Sequence, residues 1–155
     1  MSIVIATTGP VTQTGIITET NFAALRIPAN TIGRNGLVEV RTLWSYTNSA
    51  NNKTFNVRFN PTAGSIAGGA IGPSATVTTT ATAQGVSLFG NNNATNQQAY
   101  FNVPNTTPYG VSAQGVAIAG IDTTADAYVN INGSITAAGE TLTLQHAAVV
   151  IFPVP

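Results

Sequence analysis

The chain has 155 residues, no cysteine, and charged side chains at only 6% of positions, five basic against five acidic, for a net charge of zero. That balance excludes the basic footprint that phosphate contacts demand, so no nucleic-acid partner is expected, and the missing cysteines exclude disulfides and thiolate metal sites. A soluble monomer ordinarily carries about four times this share of charge, so much of the surface is expected to be contact surface built from neutral Thr, Asn, Ser and Gln.

The opening residues, MSIVIATTGP, lack the basic start and the apolar run of a signal peptide, and no stretch reaches the roughly 20 apolar residues of a membrane helix. Residues 1–17 read as an N-terminal extension or arm able to lie on a neighbouring subunit, and 18–155 as one domain. The first predicted strand is 22–27, ended by Pro28, after which PANTIGRNG (28–36) is a loop by its Pro, Asn and Gly content. Residues 36–46 read as a long strand with Val38, Val40, Trp44 and Tyr46 on one face and Glu39 and Arg41 on the other. SANNK (49–53) is the turn into the clearest strand, 54–59, where Phe55, Val57 and Phe59 alternate with Thr54, Asn56 and Arg58. The Gly/Ala stretch 61–73 has few anchoring side chains and is expected to be a long, mobile loop. Strands are predicted over 76–83, 85–89, 98–103, 111–118, 127–135 and 141–152. Asn91, Asn92 and Asn93 lie in one turn, while Asn132-Gly133 bends its strand or opens a turn. Short strands with loops of very unequal length predict an all-β fold, a jelly-roll-like antiparallel sandwich in a single domain.

The last strand is the most apolar run, TLTLQHAAVVIF followed by PVP, and its pattern passes from alternation to a continuous apolar stretch. Leu142, Leu144, His146, Val150 and Phe152 are therefore expected at a subunit contact. Catalytic chemistry has little to work with. His146 is the sole histidine, set in an apolar strand where a packed or interface role is expected. Asp122 and Asp126 share a loop but lack the spacing of a calcium-binding loop, and a turn-closing role is expected of them. GSIAGGAIG (64–72) has neither phosphate-loop order nor a following Lys-Ser/Thr, and Trp44 and Tyr46 read as core rather than as a sugar platform. No catalytic residue, cofactor or metal site is expected.

The run NGLVEVRTLWSYTNSANNKTFNVRF (35–59), the turn FGNNNATNQQ (89–98), IDTTADAYVNINGSI (121–135) and the apolar last strand together resemble small jelly-roll virion proteins encoded among tailed-bacteriophage structural genes. The resemblance covers most of the chain and implies a non-enzymatic capsid cement or decoration protein. Such a protein is a homotrimer that binds the major capsid protein on the capsid exterior and is assembled in the bacterial host cytoplasm. The alternative it implies is the receptor-binding tip of a tail or head fibre, with a host glycan as ligand. Neither role involves a membrane.

Overall fold

The computed structural model describes residues 1–72, 74–101 and 116–155. These contain twelve strands: β1 (Ile3–Ala6), β2 (Val11–Thr14), β3 (Thr20–Ile27), β4 (Leu37–Tyr46), β5 (Lys53–Asn60), β6 (Ala70–Ile71), β7 (Ala75–Val77), β8 (Thr82–Asn91), β9 (Gln98–Tyr100), β10 (Ala117–Ala119), β11 (Ala127–Ile135) and β12 (Thr141–Phe152). The larger sheet runs β1-β12-β4-β8-β9-β10, with β2 also on β12; the smaller runs β3-β11-β5-β6, with β7 also on β5. Every pairing is antiparallel.

The pairings nest. The first strands lie on the last (β1 and β2 on β12), β3 lies on β11, β4 on β8, and β5 on β6 and β7, with successive pairs alternating between sheets. A long antiparallel ribbon wrapped in this way is a jelly roll, and β9 and β10 extend its larger sheet beyond β8. The predicted all-β sandwich is therefore the observed fold. Between the sheets lies an apolar core to which β4, β12 and β8 contribute Val38, Val40, Trp44, Leu142, Leu144, Val149, Ile151 and Phe89, facing Phe22, Ile27, Phe55, Val57, Phe59, Val129 and Ile131 of the smaller sheet. Aromatic rings lock the layers at two places: Trp44 sits 5.1 Å edge-on from Phe22 and 4.8 Å from Phe55, and Phe59 lies 5.5 Å from Phe89.

Several local expectations are revised. Residues 1–17 carry β1 and β2, laid end to end along β12 of the same chain, so the segment read as an arm is an edge of the larger sheet. The two strands expected at 76–83 and 85–89 are divided elsewhere. β8 runs unbroken through Gly85, which faces Thr42, and the break falls between β7 and β8. Asn132-Gly133 stays inside β11 and marks a register shift against β3, so it bends the strand rather than turning it. The strands expected over 98–103 and 111–118 are seen as β9 and β10; residues 102–115 lie outside the described residues.

Candidate assembly interface

The two outer faces of the sandwich are built from opposite chemistry. On the smaller sheet, β5 points Asn56, Arg58 and Asn60 outward, directly across from Asn132, Asn130 and Tyr128 of β11. A polar outward row is ordinary; its burial is not, for Asn56, Arg58, Asn60, Asn130 and Asn132 are all buried. What covers them is the Gly/Ala segment 61–69. Asn130 accepts from the Gly64 N–H (2.8 Å) and donates to the Thr62 carbonyl (2.9 Å). Asn60 accepts from the Thr62 N–H (2.8 Å) and donates to the Ala67 carbonyl (3.0 Å), while Asn132 donates to the Ser65 carbonyl (3.2 Å). Gly69, at φ 70, closes the strap where a Cβ would stand 2.4 Å from the Phe59 carbonyl oxygen. The segment expected to be mobile is thus pinned by amides.

Beneath the strap, Arg58 grips Glu19 with two hydrogen bonds (2.9 and 2.8 Å), and Asn132 donates to the same carboxylate (3.1 Å). Burial pushes the Glu19 carboxyl up, but these bonds and that of Asn56 outweigh it and leave it below the usual range. At one end of the sandwich Lys53 is fully buried, donating to the Ser49 hydroxyl (2.7 Å) and carbonyl (3.1 Å), with Glu140 3.6 Å away. Hydrogen bonding from Ser49 and Asn51, with Lys53 alongside, holds the Glu140 carboxyl below its usual range. With Arg26–Asp126 and Arg41–Glu39, four ion pairs engage eight of the ten charged side chains.

The outer face of the larger sheet has the reverse character. The strand registers set four rows across it: Phe152, Leu37 and Gly90; then Val4, Val150, Glu39 and Leu88; then Ala6, Ala148, Arg41 and Val86; then His146, Leu43 and Gln84. Ile118 of β10 continues the first row through Ala99. Val4, Leu43, Val86, Leu88, Ile118 and Phe152 are between 41% and 64% exposed. In the described residues no loop covers these side chains, and Glu39 and Arg41 are the only charged residues of the four rows. A contiguous apolar sheet face of this kind is uncommon on a solvated monomer.

The five residues expected at a subunit contact fall into two groups. Leu142 and Leu144 are completely buried in the core of their own sandwich, which corrects their assignment to a contact between subunits. The reason is a bulge: β12 shifts register against β4 between Leu144 and His146, so Gln145 is an extra residue and the alternation reverses. Beyond it Ala147, Val149 and Ile151 point inward, and His146, Val150 and Phe152 reach the outer face. Leu37, Leu43, Val86, Leu88 and Val4 were missed as members of the same face. In β4 the core side was read from Val38, Val40, Trp44 and Tyr46, but that Leu37 and Leu43 on its other side join Val4, Val86 and Leu88 in one apolar face follows only from the strand pairings. Trp44 and Tyr46 are core, as expected. Asp126 is bound by Arg26 and the Ala29 N–H, and Asp122 by Thr124, which closes their turn.

No family model matches the sequence, and no curated protein does. Solved structures give distant likenesses. A structure of Bacillus endospore appendages, disulfide-linked pili, is 10% identical over 100% of this chain and 92% of that one, with a TM-score of 0.42. One of infectious bursal disease virus Gt strain is 6% identical over 99% of this chain and 33% of that one, at 0.45. Winged bean acidic lectin complexed with methyl-alpha-D-galactose is 10% identical over 98% and 99%, at 0.39. Likenesses this remote carry no inference about function, and the jelly roll rests on the strand pairings of the chain itself.

Proposed function

We propose that this chain is a non-enzymatic structural subunit that works as a homotrimer, with the apolar outer face of the larger sheet buried between copies. The observation that carries the reading is the contrast in cover: among the described residues the smaller sheet buries its outer face under its own strap, whereas the larger presents Val4, Val86, Leu88 and Phe152 uncovered. Fully burying an exposed side chain of this kind contributes roughly 1.5–3 kcal/mol, and the several half-exposed ones of this face together favour association against its entropic cost. The resemblance to tailed-phage virion proteins gives the setting: a cement protein on the capsid exterior, bound to the major capsid protein. Three tethered copies gain avidity there, because the second and third contacts are intramolecular. A surface of neutral amides and hydroxyls makes that attachment nearly independent of salt.

The test strips the protein from capsids and compares survival of bare and re-decorated particles after heat or osmotic shock, at low and high salt. Re-decoration restores survival at both salt concentrations if the reading is right. Equal survival of bare and decorated heads, or a protein confined to a tail or fibre and needed for adsorption, would replace cement with the receptor-binding role.

A further inference from the structure

On the outer face of the larger sheet the two charges have a particular placement. Glu39 and Arg41 are alternate residues of β4, a central strand, and point the same way. They pair with each other within the chain, the carboxylate largely covered at 17% side-chain exposure and the guanidinium open at 66%. Glu39 lies in the row of Val150 and Leu88, and Arg41 in the row of Ala148 and Val86. The acidic row is thus the bulkier of the two, and the basic row is the slimmer.

From this arrangement we infer that the occupant of the face is a second copy of the chain, and that Glu39 of one copy pairs with Arg41 of the next and fixes the register of the contact. The inference rests on the self-association proposed above and names its partner and its specificity residues. An apolar partner would bury both charges with only each other for company, a costly arrangement once water is gone. An acidic partner would meet Arg41 but oppose Glu39, and a basic one the reverse. A copy displaced by one row brings its Arg41 to Glu39 of the first, and the same contact repeated to a further copy meets the charges left over. It also sets the bulky Val150–Glu39–Leu88 row against the slim Ala148–Arg41–Val86 row, so shape and charge agree. A contact directed from Glu39 to the neighbour's Arg41 is head-to-tail, the type that closes into a ring when the rotation between copies closes, as the proposed trimer requires.

Charge reversal tests this. Glu39→Arg leaves two basic groups on the outer face and Arg41→Glu two acidic ones, and matching far-ultraviolet circular dichroism would confirm that the fold is retained. Each variant alone is expected to assemble about tenfold or more weakly than wild type. The double variant E39R/R41E is expected to recover assembly. In an equimolar mixture of the single variants, one carrying a mass tag, native mass spectrometry should show oligomers containing both in excess of either alone. Singles that assemble like wild type, or a mixture with the statistical distribution, would overturn the pairing while leaving self-association intact. A wild-type chain that stays monomeric would overturn the self-association and this inference together.

Discussion

The two outer faces of the sandwich differ in who completes them. On the smaller sheet the strands carry Asn56, Arg58, Asn60, Asn130 and Asn132, and the chain itself supplies the cover in residues 61–69, whose backbone groups meet those amides one by one. On the larger sheet nothing among the described residues covers Val4, Leu43, Val86, Leu88 and Phe152. Buried polar groups must find partners within hydrogen-bond reach, which a folded strap can provide at fixed positions. Apolar groups need only another apolar surface, and that can come from outside. A shortage of charge thus has two outcomes among the described residues: internal closure where the surface is amide-rich, and an uncovered face, the one proposed for assembly, where it is aliphatic.

The comparison breaks most visibly if a charge is placed on the open face. Leu88→Asp and Phe152→Asp should each keep the wild-type circular dichroism, yet weaken assembly by about 3–5 kcal/mol, because association would bury an unpaired carboxylate. Sedimentation with circular dichroism separates the two effects. The closed face should respond in the opposite sense. Asn130→Leu orphans the Gly64 N–H and the Thr62 carbonyl, at about 1–3 kcal/mol for each group left without a partner, and assembly of the molecules that remain folded should be unchanged. Denaturant midpoints and the oligomer mass report these separately.

Acid sharpens the same distinction. Glu19 and Glu140 have carboxyls held below the usual range in the folded chain. Their contribution is therefore complete above the carboxylate range of the unfolded chain and is lost as pH falls through it and below. Thermal midpoints should stay level above roughly pH 6 and decline on further acidification, with Glu140→Gln flattening part of that decline. The smallest effect belongs to His146→Ala, at the margin of the open face, which should leave fold and activity in the capsid assay intact and alter assembly only slightly.

Much of the sandwich was legible in the sequence because strand periodicity survives in β4, β5, β11 and β12. Residues 127–135 and 141–152 were predicted with the bounds they have, and Phe55, Val57 and Phe59 face the core as their alternation requires. What could not be read was non-local. The bulge at Gln145 depends on how β12 registers against β4, and it moved Leu142 and Leu144 from the expected contact into the core. The strap over β5 and β11 was equally hidden. Glycine and alanine carry no signal of what they will touch, and the amides that hold the strap lie from 2 to 68 positions away along the chain. The open face was half visible: His146, Val150 and Phe152 were placed at a contact, whereas the companions on β1, β4 and β8 emerge only once the strands are set side by side.

The central claim, that copies of the chain cover the open face, is tested most directly by hydroxyl-radical footprinting across a range of protein concentration. Phe152 and Leu88 report on the open face, and Ile66, 46% exposed within the strap segment, serves as the internal reference. The account predicts that labelling of Phe152 and Leu88 falls together as concentration rises through the assembly range, with the mass rising to three times that of the chain, while labelling of Ile66 stays constant. Constant labelling of Phe152 and Leu88 in an oligomer would place the contact elsewhere, and a chain that remains monomeric at tens of micromolar with those residues fully labelled would contradict the account.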